Sequence, residues 1–530
     1  MTAPDLTPPP DPADLVPRAG APRLPTPRAA AAGPETRPPL ASSTSSSPSP
    51  WSRLRPLVLR LHFFAGVLVA PFILVAATTG GLYAVAPQVE QVVYDRVLHV
   101  RPAATAVSLD AQVSAALAAR GAGAEAALLA VRPAPTPSDT TRVLFDDPSL
   151  GESTRLAVFV DPGTGQVLGQ LPVYGTSGSL PLRAWVSGLH RNLHLGEPGR
   201  LYSELAASWL AVLAVTGLAL WTTRRVKAHR LRRTLLLEGA ATGRARTRAL
   251  HGVTGTWMLL GLLGLSATGL TWSAHTGERV TALRSALAWE TPSVDTALPG
   301  TAGTAAAGHE GHGSTSTGTG TGTTTGTATG APAAQTADLP ADVSAVLGAA
   351  RAAGLQAGKV EVRLPADASS TWRVDEVDRS WPEQVDSAAV SVGEPLVVGG
   401  APSAQVVDVV RFSDYPFMAK MARWGIDAHS GSLFGLANQL VLLALAAGIV
   451  ASTVWGYRMW WQRRPDRSTR WGVGRPAQRG AHRWLPLPAL VVVVLLTAAV
   501  GWAMPVLGVS LLAFLVVDAL VGAVVRVRTP

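Results

Sequence analysis

The chain has 530 residues, of which 47% are hydrophobic and only 15% are charged, and it contains no cysteine. This composition is too apolar for an ordinary soluble domain, and the lack of thiols excludes disulfides, thiolate metal sites and catalytic cysteines. The net charge of +10 is concentrated in residues 222–250, with nine Lys/Arg and one acidic residue, and in residues 457–484, with eight and one. Residues 87–200 and 274–430 are neutral or acidic. The alternation follows the positive-inside pattern of membrane proteins and argues against nucleic-acid binding.

Apolar runs that could cross a bilayer alternate with these loops along the chain. Residues 1–52 are rich in Pro, Ala and Ser, which predicts a disordered cytoplasmic arm. We predict a polytopic α-helical membrane protein with four core spans, a C-terminal two-helix hairpin and both termini in the cytoplasm. The predicted segments are TM1 (53–86), an extracytoplasmic segment (87–200), TM2 (201–222), a basic cytoplasmic loop (223–249), TM3 (250–273), a second extracytoplasmic segment (274–430), TM4 (431–456), a second basic cytoplasmic loop (457–484) and the TM5–TM6 hairpin (485–530).

The core spans contain two different helices, each present twice. The first alignment places His62 on His251, and with the same offset it pairs Gly66 with Gly255, Thr79 with Thr268 and Gly80 with Gly269. The second places His190 on His429, and it pairs Gly196 with Gly435, Gly217 with Gly456 and Trp221 with Trp460. The pattern predicts a duplicated two-helix unit in which each helix copy carries one histidine.

Each extracytoplasmic segment predicts a small α+β module, a helix followed by a hairpin. In the first, a helical stretch at 109–120 precedes strand-like runs at 142–145, 155–160 and 166–169. In the second, a helical stretch at 342–353 precedes alternating runs at 360–364 and 371–375 and a run with a turn at 390–398. Residues 299–337, rich in Gly, Thr and Ala, predict a flexible linker.

The four repeated histidines are the candidate site. On the predicted topology His62 and His251 lie near the cytoplasmic face, and His190 and His429 near the outer face. Two neutral imidazoles from different helices can take both axial positions of a haem iron, so we predict an inner and an outer haem b. For any single histidine the alternative is a polar anchor at the membrane interface. The catalytic residues stay unknown.

Other polar residues are weaker candidates. His194 lies one helical turn from His190 and could replace it, and His275 follows the third span on the outer side. His309 and His312 lie in the linker with a spacing that predicts only adventitious metal binding. Asp518, a carboxyl in the last span, is a functional candidate by its position.

The histidine motifs resemble a known family. RLHFFAG (60–66), GLHRNLHLGEPGR (188–200), LHG (250–252) and DAHSG (427–431) are similar to the PepSY-associated transmembrane family over roughly residues 53–464. The resemblance implies a bacterial inner-membrane protein, often described as iron-regulated, with two PepSY-like modules in the periplasm. The family includes ferrisiderophore reductases thought to carry b-type haem, so it also implies reduction of a ferric siderophore or another ferric chelate.

The sequence therefore predicts a lipid-embedded electron-transfer protein. No flavin or nicotinamide motif is present, so electrons from the cytoplasm would come from another protein or a quinol. The alternative is a non-enzymatic PepSY membrane protein that binds or regulates a peptide, a protease or an envelope component. A transporter is disfavoured, because the first four spans have few polar groups at mid-membrane depth.

Overall fold

The computed structural model describes residues 50–225, 232–237, 242–298, 339–378, 381, 385–393, 403–463, 480 and 485–528. Most of the predicted arm, the predicted linker, His309 and His312 lie outside these residues.

The helices are α1 (Pro50–Leu68), α2 (Ala70–Val93), α3 (Asp95–Leu98), α4 (Leu109–Arg120), α5 (Ala124–Ala127), α6 (Pro181–Asn192), α7 (Glu197–Arg225), α8 (Arg232–Leu235), α9 (Gly243–Leu270), α10 (His275–Ala286), α11 (Leu339–Ala352), α12 (Phe417–Ser430), α13 (Gly435–Trp461), α14 (Leu487–Ala503) and α15 (Pro505–Arg528). The strands are β1 (Leu128–Arg132), β2 (Thr141–Phe145), β3 (Thr154–Val160), β4 (Val167–Tyr174), β5 (Val360–Arg363), β6 (Trp372–Glu376), β7 (Ser387–Gly393) and β8 (Ser403–Val410).

The described part of the chain contains five helices that are long and apolar enough to cross a membrane. They are α2, α7, α9, α13 and α15. The predicted fifth span is α14, which is apolar but has only 17 residues, fewer than the roughly 20 that a bilayer core requires. The protein is thus a multi-pass membrane protein with an additional β-sheet domain.

The first predicted span is divided at Val69 into α1 and α2. Pro71 at the start of α2 has no backbone N–H, so it cannot donate to the carbonyl of Val67, four residues earlier. The hydroxyl of Tyr457 in α13 donates to this carbonyl instead, at 2.9 Å. An interruption inside the membrane is tolerated because a neighbouring helix satisfies the freed backbone group.

The membrane helices of the two repeats form one bundle. Helix α7 packs against α9, α9 against α13, and α13 against α2, while α6 packs on α2 and α12 on α9. Small and apolar side chains fill the centre, including Ala65, Ile73, Trp209, Leu262 and Ile449. Close packing of small residues is the main attraction between helices in lipid, where apolar burial gives no advantage.

The C-terminal hairpin packs on the outside of this bundle through α7 and α10. Asp518 forms an ion pair with Arg60 of α1, and the indole N–H of Trp209 donates to the hydroxyl of Ser510 at 2.9 Å. The two hairpin helices cross closely, since a Cβ on Gly508 would lie 2.6 Å from the backbone oxygen of Gly501. Asp518 therefore has a structural partner.

The two segments that the sequence predicts to be extracytoplasmic form one sheet. Its strand order is β4-β3-β2-β1-β5-β6-β7-β8, and all neighbouring strands are antiparallel. Each segment thus contributes a four-stranded meander, longer than the predicted hairpin, and the two meanders join through β1 and β5. Helices α4 and α11 cover one face with an apolar core, and α3 and the start of α6 meet the opposite face of the first meander.

Candidate functional site

The fold brings the four repeated histidines together in two pairs. His62 of α1 and His251 of α9 have ring centroids 6.2 Å apart with an interplanar angle of 76°. His190 of α6 and His429 of α12 have centroids 6.4 Å apart at 46°. These are the pairs expected from the sequence, and in both pairs the two rings come from different helices.

The two pairs lie at opposite ends of the bundle. In α9, His251 and Thr268 are seventeen residues apart, and Thr268 contacts His429. At about 1.5 Å per residue this separation is about 25 Å along the helix, close to the roughly 30 Å thickness of a bilayer core. The two pairs are therefore separated by nearly the thickness of a bilayer core.

Threonine hydroxyls orient three of the four rings. Thr216, Thr79 and Thr268 place Oγ1 at 2.9, 3.0 and 2.7 Å from Nδ1 of His62, His190 and His429, respectively. Each hydroxyl also donates to the carbonyl four residues earlier in its own helix, at 2.5–2.9 Å. Because the hydroxyl hydrogen is used in this way, the threonine oxygen accepts a hydrogen bond from Nδ1–H.

In the fourth ring, Nδ1 also faces a hydrogen-bond acceptor, which here is a backbone carbonyl. Nδ1 of His251 lies 3.0 Å from the carbonyl oxygen of Ser452, which can only accept. In all four histidines the proton therefore belongs on Nδ1, and Nε2 keeps a free lone pair. Histidines that bind metals have this arrangement, with the distal ring N–H held by a second acceptor.

Glycines provide the space for these rings. A Cβ on Gly217 would lie 3.0 Å from Cε1 of His62, and one on Gly80 would lie 3.1 Å from Cε1 of His190. Gly269 has the same role beside His429, at 3.6 Å. By contrast, a Cβ on Gly66 or Gly255, one turn beyond His62 and His251, would meet nothing within 4 Å.

The spacing of both pairs fits a bis-imidazole haem site. Two imidazoles that bind one iron from opposite sides, each at about 2 Å, place their ring centroids about 6 Å apart. Both pairs have this separation. No cluster of three or more His, Cys, Asp or Glu suitable for a bare metal ion occurs in the part of the chain that the structure describes.

The alternative histidines have other surroundings. His194 stacks on Trp185 with centroids 5.4 Å apart, and its Nε2 lies 3.0 Å from the Trp185 carbonyl oxygen. His275 is exposed at the start of α10, where its backbone N–H donates to Glu204 at 3.0 Å. His190 is thus the residue of its helix that faces His429.

Sequence reasoning missed the residues that surround the rings. Thr79 and Thr268 coincide in the repeat alignment, and this was a usable signal for their shared role. Thr216 and Ser452 gave no such signal, because the repeat places Trp455 opposite Thr216. Trp272, also missed, is half exposed and makes an edge-to-face contact with His429 at 5.7 Å.

Comparison with known proteins gives one result. A family model described as "PepSY-associated TM region" matches residues 59–463, which is more than half of the chain and includes all four paired histidines. The C-terminal hairpin lies beyond the matched region. No curated protein matches the chain.

Proposed function

The chain belongs to the PepSY-associated transmembrane family, and we propose that it is a di-haem b-type electron-transfer protein that reduces a ferric chelate in iron acquisition. His62 and His251 would hold the inner haem, and His190 and His429 the outer one. Bound haem supplies a reversible one-electron carrier at each membrane face. The family membership alone does not assign this activity, so the proposal depends on the geometry of the histidines.

One observation carries the proposal. Two histidine pairs, about 25 Å apart along the bundle, have nearly equal ring separations of 6.2 and 6.4 Å. Every Nδ1 is hydrogen-bonded, so every Nε2 is free to bind a metal. Polar anchors at a membrane surface would point their ring nitrogens towards water, and nothing would require two rings to meet at this distance.

The chain's residues have three tasks in this function. The threonines and the Ser452 carbonyl fix the tautomer of each ring, the glycines leave room for it, and the surrounding apolar helices exclude water. Exclusion of water favours electron transfer over side reactions of a reduced iron. A ferric chelate at the outer face would gain one electron and release its iron as Fe(II).

The charge distribution supports an orientation. We place both termini and the basic loops in the cytoplasm and the sheet outside the inner membrane of a bacterium. A cytoplasmic protein or a quinol would supply electrons, and a ferric siderophore is the candidate acceptor. Reporter fusions after Gly151 should report outside and those after Gly239 inside, and a reversed pair of signals would refute this orientation.

Haem content tests the function directly. The purified protein should show a reducible b-type spectrum with two components. His62→Ala or His251→Ala should each remove the inner component, and His190→Ala or His429→Ala the outer one, because each haem loses one axial ligand.

His194→Ala is the matched control, one turn from His190, and it should leave both components in place. Intact protein without haem absorption would refute the proposal and favour a binding or regulatory role. Equal loss of both components in every single variant would indicate misfolding and also count against it.

A further inference from the structure

The two halves of the sheet carry the same pair of arginines with different partners. In the first meander Arg132 of β1 lies directly across from Arg142 of β2. In the second, Arg363 of β5 lies across from Arg373 of β6. Like charges that face each other across two strands are destabilising, so each pair requires compensation.

The second meander supplies its own compensation. Nε of Arg363 lies 2.6 Å from a carboxylate oxygen of Glu361, and Nε of Arg373 lies 2.9 Å from one of Asp375. Glu361 is fully buried. Each arginine is therefore neutralised by an acid two residues away on its own strand.

The first meander has no such acids. Ala130 stands where the second meander has Glu361, and Leu144 stands where it has Asp375. Arg132 reaches across the junction of the meanders and bonds Glu361 at 2.5 Å. The side chain of Arg142 forms no ion pair or hydrogen bond within the described part of the chain, although Glu90 and Asp139 are near enough to act on its charge.

Arg142 is partly buried, and two arginines and two carboxylates lie near it. Its guanidinium lies over the ring of Phe159, 5.5 Å from the centroid. Burial, together with the nearby charges of Arg132 and Arg183, lowers the pKa of Arg142 to about 10, and Glu90 and Asp139 offset this only in part. Arg142 thus stays charged at neutral pH. Arg183 already has an ion-pair partner, because its Nε lies 3.5 Å from a carboxylate oxygen of Glu90.

We propose that Arg142, with Arg132 and Arg183, binds a carboxylate group of an anionic ligand between β2 and the start of α6. Guanidinium groups bind carboxylates in a bidentate manner, and a partly buried arginine whose side chain forms no ion pair gains a charge-assisted contact from such a ligand. Arg183 and His190 are seven residues apart in α6, about 10 Å along the helix, so the ligand would lie beside the outer histidine pair.

This inference rests on the proposed function and makes it more specific. The ferric chelate that is reduced at the outer face would be an anionic one of the carboxylate class. The carboxylates could instead be those of the outer haem itself, and the experiment separates these two sources.

The test measures binding without electron transfer. Gallium citrate has the charge of the ferric chelate but is not reduced, and it is titrated calorimetrically into the detergent-solubilised full-length protein. We expect saturable binding that is weakened about tenfold or more by Arg142→Gln, because a charge-assisted hydrogen bond is lost. Arg373→Gln is the matched control and should bind like the wild type, since Asp375 keeps Arg363 as a partner at 3.4 Å.

The outcomes are separable. Equal affinity of the wild type and Arg142→Gln, or no binding by either, would overturn the proposal. Binding that appears only in the His190→Ala variant, after loss of the outer haem, would assign the site to the haem carboxylates and overturn the substrate class. If Arg142→Gln does not fold, Arg142→Lys retains the charge and should still bind more weakly. Haem spectra play no part in this assay, so its failure would leave the proposed function standing.

Discussion

Threonine hydroxyls decide which nitrogen of three partly buried imidazoles carries the proton. In the outer pair both rings depend on them, through Thr79 and Thr268, whereas the inner pair uses one hydroxyl and one backbone carbonyl. A backbone carbonyl cannot be removed by substitution, so only in the outer pair can the acceptors of both rings be tested by single substitutions.

We expect Thr79→Val to weaken the outer haem site selectively. The variant has the same shape but removes the acceptor of the His190 Nδ1–H bond, and loss of such a partner typically costs about 10–100-fold in metal affinity. Haem retained on dilution, followed by the outer spectral component, measures the effect. Thr79→Ser should restore retention, and Thr78→Val is the neighbouring control, because the Thr78 hydroxyl bonds only the carbonyl of Leu74. Equal loss in both valine variants would contradict this role.

The pairing of the histidines could be read from the sequence because the repeat keeps residue type, spacing and depth together. The residues that surround each histidine ring could not be read from the sequence. Gly80 and Gly217 lie against their histidines only after distant helices have packed, and nothing local in the sequence indicates which helix face they occupy. The orientation of His194 depends on a left-handed backbone conformation, with φ of 55°, that the motif does not encode visibly.

At the scale of whole elements, the interruption between α1 and α2 is the main departure from the predicted spans. The apolar run around Pro71 is continuous, so hydropathy alone gives one span. A proline inside a helix disrupts the hydrogen bond to the carbonyl four residues earlier, and whether the helix continues depends on a partner for that carbonyl. Here the partner is Tyr457, almost four hundred residues later.

We expect Tyr457→Phe to lower the free energy of unfolding by about 0.5–1.5 kcal/mol, the usual contribution of one hydrogen bond, with values near the lower end common in membranes. In a Pro71→Ala background the same change should cost much less, because the new backbone N–H can bond the Val67 carbonyl. Thermal unfolding in detergent of both single variants and the double variant gives the coupling. Tyr83→Phe is the control, and a cost that is independent of residue 71 would refute the explanation.

The sequence predicts the strands and short helices only in part. The alternating runs of β2, β3, β5 and β6 were recognised, as were α4 and α11, because their periodicity is clear. Strands β1 and β8 were missed, since each is complete only when it pairs with its neighbour. The sequence analysis places His190 and His429 in the segments before TM2 and TM4, and the structure gives each of them a separate short helix, α6 and α12.

At the scale of the whole molecule, the two halves of the sheet are joined at the contact of β1 with β5, and Glu361 is the central residue of this junction. It is fully buried and bonded by arginines of both meanders, Arg132 at 2.5 Å, Arg363 at 2.6 Å and Arg155 at 3.6 Å. Burial acts to raise the pKa of Glu361, but the three arginines outweigh it and hold the pKa below its ordinary value of 4.5.

We expect Glu361→Gln to destabilise the protein by about 3–5 kcal/mol at neutral pH, because buried arginines lose their counter-charge. A lowered pKa in the folded state contributes stability above pH 4.5, and this contribution is lost as the pH falls further towards the folded-state value. The unfolding temperatures of the two proteins should therefore converge in acid. Thermal unfolding of the full chain as a function of pH measures this, with the exposed Glu152→Gln as the control. A constant difference at all pH values would contradict it.

The location of these contacts has a consequence for how the chain can be divided. His62 and His190 precede the first basic loop, and His251 and His429 follow it. The Arg132–Glu361 and Arg60–Asp518 ion pairs also connect residues on opposite sides of that loop. Each histidine pair therefore needs both halves of the chain, as a site at the interface of a heterodimer needs both subunits. A gene encoding only one half would yield neither pair.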